Sequence, residues 1–302
     1  MSWYVWSWKF RLESPLHVGF HKVMHLFRTR LYVPGQILWG AVTAKLTPIL
    51  GLNDYTQVGD VIKSSICFGY MFPYINNRIY LPGFTEKGIC WGSATKEELE
   101  QQILSVTATT AIESSTLAAE EATLHEVEFI SPYQISCGVP VYFKGILWVR
   151  EYTLNGIQVI IDRDNNEILF ESASGNARLF SQIVDRLQIG GERRYGFGLI
   201  EYVKDSLCKL GEGSFGEFPG EQENEANLPR VKLQKGQPLW THLKLGSVQV
   251  CGDVEPLTGR EWDSIKGPGR NLSHHGLFWT PGSILKDKDK VFEVNPFGWW
   301  EE

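Results

Sequence analysis

Cysteine is scarce in this chain of 302 residues, which contains five cysteines, at positions 67, 90, 137, 208 and 251. No two of them form a C-x-x-C pair, the spacing that many structural metal sites and redox motifs use. An odd number of widely spaced cysteines is not a disulfide framework either. The cysteines therefore predict reduced thiols in a cytosolic protein.

Long apolar runs are also missing, since no stretch approaches the roughly 18 residues that a membrane-spanning helix requires. The N-terminus shows no charged segment followed by an apolar one, which is the pattern of a secretory signal. We therefore expect a soluble, cytoplasmic protein without a membrane partner.

Positive charge is in deficit, because 29 Lys and Arg stand against 35 Asp and Glu and give a net charge of −6. This balance excludes a protein that is coated in positive charge. It leaves RNA binding open, because a local basic groove can make the contact while the rest of the surface stays acidic.

Aromatic residues, glycine and proline are plentiful. Aromatic residues make up 13% of the chain, with 11 Trp, and the 30 Gly and 14 Pro imply many turns. Aromatic richness favours β-strands and stacking surfaces over a helical bundle. The apolar share of 43% supplies a core for one large domain or two ordinary ones.

The most distinctive stretch is LQIGGERRYGFGLIEY, residues 187–202, which holds the glycines Gly190, Gly191, Gly196 and Gly198. Glycine lets the backbone approach a ligand closely and adopt positive φ without steric cost. Arg193 and Arg194 can hold phosphates through forked donors, and Tyr195 offers a ring on which a base can stack. Residues 177–187 have a helical pattern and 199–202 a strand pattern, so we predict a helix, a glycine-rich loop and a strand in that order.

Known phosphate-binding motifs narrow the interpretation of this loop. It does not close with the Gly-Lys-Ser/Thr of a Walker loop, and the predicted helix-to-strand order is the reverse of the dinucleotide fingerprint. Residues 194–202, RYGFGLIEY, come close to an RNA-recognition signature, with one extra residue after the arginine and Leu199 in place of a stacking Phe. The pattern therefore favours an RNA backbone, and a glycine-rich turn with two solvated arginines is the alternative.

The N-terminal region places further cations near such a site. Residues 3–18 alternate apolar and polar side chains in their central part and predict the first strand. A polar loop is predicted over 19–30, on or near a binding surface, with Arg28 and Arg30 as candidate RNA ligands.

Three histidines, His17, His21 and His25, follow one another at four-residue intervals in this region. On a helix they would share one face and suggest a metal site, but no cysteine or carboxylate lies near to complete the ligand set. Gly19 also weakens a helix there. We therefore prefer a polar loop, with His17 as a candidate RNA contact.

A helix is predicted next, beginning after Pro34-Gly35 and ending at Pro48. Small residues on it allow close packing against a sheet. Lys45 is its one cation and a further candidate RNA contact.

The remaining pattern divides the chain into a long first part and a β-rich tail. Residues 211–227 carry five glutamates and no Lys or Arg, which favours a solvated linker or mobile loop. We therefore predict a domain over 1–207, a linker over 208–227 and a C-terminal region over 228–302. The further predicted elements are a hairpin over 64–81, a helix over 95–104, an arm or surface hairpin over 106–130, strands over 145–151 and 158–161, and a basic turn over 266–270.

The chain resembles the RAMP superfamily of CRISPR-associated proteins, which is built on ferredoxin-like (RNA-recognition-type) βαββαβ domains. The resemblance is carried by SPLHVG (14–19), VPG through WGAV (33–42), AIE through LHE (111–126) and IGGERRYGFG (189–198). It spans most of residues 1–202, and the glycine-rich loop is its most specific part. It implies an α+β fold, with two ferredoxin-like units and β-hairpin insertions. Residues 279–285 partly repeat the pattern of 33–38, which hints at such a duplication.

Within that superfamily the resemblance implies a non-catalytic crRNA-binding subunit of a type III effector complex. Backbone subunits that cut target RNA carry an aspartate in the loop after the first strand, whereas residues 19–30 contain no acidic residue. FWTPGSI, residues 278–284, looks like the closing segment of the subunit that caps the crRNA 5′ handle. The implied partners are crRNA, the large polymerase-like subunit and the backbone RAMP subunits, with target RNA nearby and with no cofactor or metal.

Three other roles remain open. One is a backbone RAMP subunit along the crRNA. Another is a metal-independent crRNA-processing endoribonuclease, with His17, His21 or His25 as general acid or base. Such enzymes keep their glycine loop close to the C-terminus, whereas roughly a hundred residues follow it here. The last is a scaffold whose glycine loop meets protein.

Overall fold

The computed structural model describes residues 2–86, 88–110, 115–116, 124–223, 227–263 and 267–302. The AIE motif (111–113), the rest of the middle of the predicted arm (114 and 117–123) and Lys266 of the predicted basic turn lie outside these residues. The helices are α1 Gly35–Ile49, α2 Tyr55–Ser65, α3 Lys96–Ile103 and α4 Phe180–Ile183. The strands are β1 Tyr4–Leu12, β2 Gly19–Val23, β3 Leu26–Thr29, β4 Ile66–Ile75, β5 Arg78–Ile79, β6 Pro82–Thr85, β7 Gly88–Trp91, β8 Ala94–Thr95, β9 Leu104–Thr109, β10 His125–Ile130, β11 Tyr142–Val149, β12 Tyr152–Leu154, β13 Ile157–Asp162, β14 Glu167–Ser172, β15 Ala177–Leu179, β16 Arg186–Gln188, β17 Leu199–Tyr202, β18 Cys208–Lys209, β19 Glu221–Glu223, β20 Arg230–Leu233, β21 Leu243–Lys244, β22 Val250–Cys251, β23 Val254–Asp263, β24 Gly267–Trp279, β25 Ile284–Leu285, β26 Lys290–Val294 and β27 Trp300–Glu301.

The first strand lies at the centre of the main sheet, whose order is β16-β17-β1-β11-β4-β5. It pairs antiparallel with β11 on one side and with β17 on the other. The alternation that predicted it is confirmed, because Trp6, Trp8 and Phe10 are buried while the residues between them are half-exposed. Each such aromatic side chain contributes about 1.5–3 kcal/mol by leaving water.

The helices cover the face of this sheet to which Trp8 points. Trp8 contacts Phe68 of β4 and Phe180 of α4, with ring centroids 5.8 and 5.6 Å away. Helix α1 begins at Gly35, and the first residue must be glycine because a Cβ there would collide with the Phe68 carbonyl oxygen. The helix ends at Ile49, one residue beyond the end predicted at Pro48. Pro48 is tolerated in the last turn because its missing N–H removes only one backbone hydrogen bond of the helix. Helix α2, capped by Asp54, was not predicted.

Residues 19–30 form a hairpin rather than the predicted polar loop. Strand β2 pairs antiparallel with β3, and β3 pairs parallel with β10 of the β9–β10 hairpin. All five residues of β2 are exposed, which explains why the sequence shows no alternation there. The paired ends of the predicted arm, β9 and β10, confirm a hairpin at its base.

The helix predicted over 177–187 is wrong. Its residues form β15, the single turn α4 and then β16, so a strand leads into the glycine-rich loop. Arg186 and Gln188 are exposed while Leu187 is buried, a period of two that the helical interpretation overlooked. The order is therefore strand, glycine-rich loop, strand.

Two aromatic residues of the predicted linker pack into the molecule, so a fully solvated segment is not what the structure shows at these positions. Phe215 and Phe218 are buried against Trp240, at ring-centroid distances of 5.8 and 5.2 Å. Trp240 in turn stacks on Trp148 of β11 at 5.9 Å. One buried cluster thus joins the main sheet to the C-terminal region, and the division of the chain into domains stays a prediction.

The C-terminal region is built on a seven-stranded sheet of order β19-β20-β26-β27-β21-β24-β23. Its described residues contain strands and no helix, so they do not form the second βαββαβ unit that was expected. Pro34-Gly35 opens a helix whereas Pro281-Gly282 lies in a turn before β25, so the two similar motifs adopt different structures. No helix among the described residues is both long and apolar enough to cross a membrane.

Candidate nucleic-acid interface

The glycine-rich loop is the tip of a tight hairpin between β16 and β17. The Gly198 N–H donates to the Pro15 carbonyl at 2.7 Å, and the Ile189 N–H donates to the Gly198 carbonyl at 2.8 Å. Gly198 and Gly190 both have positive φ, 82° and 78°. A Cβ at Gly198 would collide with the Ile189 carbonyl, and one at Gly190 with the His17 carbonyl. These two glycines therefore serve close backbone packing within the protein.

His17 holds the other side of the loop. Its carbonyl accepts the Gly191 N–H at 2.8 Å, and its ring Nδ1–H donates to the Glu128 carbonyl at 2.7 Å. A Cβ at Gly191 would lie 3.0 Å from the His17 ring, and so would one at Gly19. The ring is buried between β2 and the loop, so His17 positions the loop beside the β2–β3 hairpin.

The tip of the loop presents three exposed side chains in a single 3₁₀ turn, Arg193–Tyr195. Tyr195 is 68% exposed. Within the described part of the chain, neither the Arg193 nor the Arg194 guanidinium has a hydrogen-bond or ion-pair partner. Gly196 lies at the same tip with φ of 84°, and a Cβ there would meet nothing within 4 Å. This surface can therefore accept anionic and aromatic groups without first breaking an internal contact.

Several backbone N–H groups of the loop are already occupied. Gly191 and Gly198 donate to His17 and Pro15, and Gly196 donates to the Arg193 carbonyl at 3.1 Å. The backbone N–H groups of these three glycines therefore already have acceptors within the protein. Contacts from this loop depend on its side chains instead.

Arg28 lies close to the loop but is engaged by carboxylates. Its Nε is 3.2 Å from Glu128 Oε2, and its Nη2 is 3.7 Å from Glu100 Oε1. Glu128 also accepts the Thr29 N–H at 3.0 Å and binds His17 through its carbonyl. Glu128 thus organises this corner of the molecule, and sequence analysis missed it. Its one signal in the sequence is an acidic residue between the apolar Val127 and Phe129 of β10.

Arg30 and Lys45 each have a partner within the protein. The Arg30 side chain is 12% exposed, with Nη1 2.5 Å from Glu255 Oε1 and 2.6 Å from the Tyr32 hydroxyl. The Lys45 ammonium donates to the Arg186 carbonyl at 2.5 Å and ties α1 to β16. The structure therefore gathers His17, Arg28 and the loop in one place and gives Arg30 and Lys45 internal roles.

The Arg30 ion pair belongs to a buried network that joins the main sheet to the C-terminal sheet. His242 Nε2–H donates to Glu255 Oε1 at 2.5 Å, and its Nδ1 accepts the Tyr70 hydroxyl at 2.6 Å. Burial alone would raise the pKa of Glu255, but the His242 hydrogen bond and the Arg30 charge lower it to about 2. Burial lowers the pKa of His242, which is consistent with a neutral ring.

The three evenly spaced histidines do not share a helix face. His17 precedes β2, His21 lies on exposed β2 beside Phe20, and His25 lies in the turn before β3. In the described residues, no group of three metal-ligating side chains could hold an ion. FWTPGSI, the C-terminal motif, faces inward: Phe84 donates its N–H to the Gly282 carbonyl at 2.8 Å.

No family model and no curated protein matches this sequence. Solved structures do match its fold. A chain of the type III-B Cmr-beta complex bound to cognate target RNA and AMPPnP aligns with a TM-score of 0.54 at 12% identity, over 93% of this chain and 86% of that one. The same complex bound to cognate target RNA alone gives 0.52 at 12% identity, with the same coverage. The chain is thus a mixed α/β, strand-rich protein that shares its fold with a subunit of a type III-B Cmr-beta complex.

Proposed function

We propose that this chain is a non-catalytic, crRNA-binding subunit of a type III CRISPR effector complex. It holds the crRNA 5′ handle and joins the large polymerase-like subunit to the backbone RAMP subunits. The observation that carries the proposal is the exposed tip of the glycine-rich loop, where the side chains of Arg193, Arg194 and Tyr195 have no hydrogen-bond or ion-pair partner within the described residues.

The loop has the chemistry that a single RNA strand requires. Two adjacent guanidinium groups suit consecutive phosphates, because each presents several N–H donors in a fixed fork. An exposed tyrosine ring supplies a stacking surface, worth about 1–3 kcal/mol per base. The rigid base of the loop, fastened through Gly198 and Gly191, keeps these side chains together.

The strand order supports a ferredoxin-like unit in the first part of the chain. Strands β17, β1, β11 and β4 lie in that spatial order, and each neighbouring pair is antiparallel. Helices α1 and α2 connect β1 to β4, and α4 lies between β11 and β17 along the chain. A βαββαβ unit has the same strand order, 4-1-3-2, and this likeness supports the proposal.

The absence of catalysis is part of the proposal. His17 is buried and bound to Glu128, so it serves the architecture rather than a proton transfer to RNA. Incubation of the purified chain with precursor RNA in the absence of metal tests this point. Discrete cleavage that is lost on His21→Ala or His25→Ala would favour the endoribonuclease instead.

The double variant Arg193→Ala/Arg194→Ala tests the RNA contact itself. Loss of two phosphate contacts should weaken crRNA binding and reduce the slope of log K against log salt by about 1.4, or about 0.7 per contact to a single strand. The slope is measured by titrating crRNA that carries its 5′ handle at four salt concentrations.

A matched control removes the same charge elsewhere. Lys286 and Lys288 are both exposed, and Lys286→Ala/Lys288→Ala should leave the slope within error of wild type. Equal slopes for the loop variant and wild type would contradict the proposed contact. An equal reduction of the slope in the loop variant and the control variant would show a general effect of charge, and it would also contradict the proposed contact.

A further inference from the structure

A second group of basic and aromatic side chains lies on the main sheet, apart from the glycine-rich loop. Lys9 of β1, Tyr74 of β4 and Tyr142 of β11 line a groove of about 300 Å³. The groove is completed by Asn76, Asn77, Val139, Pro140 and Val203. Its volume is at the lower end of the range for small-molecule sites.

The groove occupies the part of this sheet face that the C-terminal region leaves uncovered. Val5 and Lys9 lie on the same face of β1, since they are four residues apart along a strand. Opposite Val5, Trp148 is covered by Trp240. Lys144 lies opposite Lys9, and both residues are half-exposed.

Two positively charged side chains face each other across β1 and β11 at the groove. Lys9 and Lys144 are direct cross-strand partners, and like charges in that position destabilise a sheet. Lys144 is neutralised by an ion pair with Glu217. Lys9 has no such partner within the described residues, and its ammonium lies 5.3 Å from the Tyr74 ring centroid and 5.5 Å from that of Tyr142.

The rim of the groove adds hydrogen-bonding groups. Asn76 and Asn77 form the β4–β5 turn, both with positive φ of 50° and 59°, and both side chains are exposed. Amide side chains can donate to and accept from the edge of a base. A cation, two tyrosine rings and two amides together match one unstacked nucleotide, with phosphate, base face and base edge each provided for.

We propose that this groove binds a single nucleotide, with its base against Tyr74 or Tyr142 and its phosphate towards Lys9. Lys9 is four strand residues from Glu13, whose N–H donates to Leu199 at the end of the glycine-rich loop. That separation is about 13 Å along the strand. The groove is therefore a site distinct from the loop but close enough for one RNA strand to reach both.

Lys9→Gln and Tyr74→Leu test the groove in the full-length chain. Mononucleotides (AMP, CMP, GMP and UMP) are titrated by ligand-observed NMR, and single-stranded RNA decamers by fluorescence anisotropy. Loss of a stack or a phosphate contact should weaken binding about 5- to 100-fold in either variant. Lys9→Arg keeps the charge and should restore most of the affinity, and thermal melting checks that each variant is folded.

A matched control uses the cation and ring on the other side of the same strand. Lys209 lies 3.9 Å from the Tyr4 ring centroid, and Lys209→Ala should leave binding unchanged. If Lys9→Gln weakens mononucleotide binding, the groove is a site for a free nucleotide. If only decamers bind and the variant weakens their binding, the groove is a site for a nucleotide within an RNA strand. Either result supports the proposal that the groove binds a nucleotide.

Two results would overturn the groove. One is that wild type binds neither ligand, and the other is that Lys9→Gln and Tyr74→Leu bind as wild type does. Arg193→Ala/Arg194→Ala separates this failure from that of the proposed function. If only the arginine variant weakens decamer binding, the proposed groove site is wrong and the proposed RNA contact of the loop is supported. If only the groove variants weaken it, the proposed RNA contact of the loop is wrong.

Discussion

Two pairs of arginines in this protein have opposite surroundings. Arg193 and Arg194 stand exposed at a loop tip, without partners in the described structure. Arg28 and Arg30 are bound by Glu128 and Glu255, and the Arg30 side chain is mostly covered as well. The sequence marks all four as candidate RNA ligands. An arginine is thus available to bind RNA only where the fold places no carboxylate beside its guanidinium group.

The comparison predicts separate consequences for stability and for RNA binding. Substitution of a buried, paired arginine should unfold the protein more readily and leave the RNA contact of the folded fraction intact. Substitution of an exposed arginine should do the reverse.

The largest effect is expected for Arg30→Leu, which leaves the Glu255 carboxylate buried without its ion-pair partner. Breaking a buried pair in this way costs about 3–5 kcal/mol. The measurement is the free energy of unfolding in urea. Arg30→Leu/Glu255→Leu removes both charges and should be less destabilised than the sum of the two single variants. If the losses in unfolding free energy of the two single variants add up to that of the double variant, Arg30 and Glu255 do not form a direct ion pair.

The acid stability of the protein should depend on the same network. The pKa of Glu255 is lowered from 4.5 to about 2 in the folded state, which corresponds to about 3 kcal/mol. Because the folded pKa lies below the unfolded one, this stability is present above about pH 4.5 and is lost as the pH falls towards 2. His242, with its lowered pKa, adds a loss in the same direction below its unfolded value of 6.5.

Urea unfolding of wild type and Glu255→Gln across pH 2 to 7 measures this dependence. The difference in unfolding free energy between the two proteins should shrink as the pH falls below 4.5. A difference that stays constant down to pH 2 would show that Glu255 is not held ionised by Arg30 and His242.

A smaller difference in unfolding free energy is expected between alanine substitutions at two glycines of the loop. Gly196 and Gly198 have nearly the same φ, so alanine at either position incurs about 1–2 kcal/mol of left-handed strain. At Gly198 the added Cβ also collides with the Ile189 carbonyl, whereas at Gly196 it meets open space. Gly198→Ala should therefore destabilise the protein by about 1–3 kcal/mol more than Gly196→Ala. Equal unfolding free energies would mean that the loop base is not packed as described.

Sequence patterning was sufficient for elements with strong periodicity or clear end signals. The β1 strand, the capped helix α3 and the Asn76-Asn77 hairpin all follow from local residue chemistry and are confirmed. The residues also locate the glycine-rich loop, but they predict a helix end where β16 lies, since three residues are too few for a period of two to be recognised.

Long-range partners could not be predicted from the residues alone. Arg30 meets Glu255 across 225 positions, and His17 meets Glu128 across 111. The burial of Phe215 and Phe218 was equally hidden, because glutamates surround them in the sequence. Whether an arginine binds RNA or a carboxylate is decided by contacts of this kind.

The most direct test of the central claim is ultraviolet crosslinking of the assembled complex loaded with crRNA, followed by mass spectrometry. The account predicts a crosslink between Tyr195 and a nucleotide of the 5′ handle, lost in Tyr195→Leu while crRNA is retained. A crosslink from Tyr195 to spacer nucleotides would place the chain along the backbone instead. Full crRNA occupancy with no RNA crosslinked to Tyr195 would contradict the claim that this loop holds RNA.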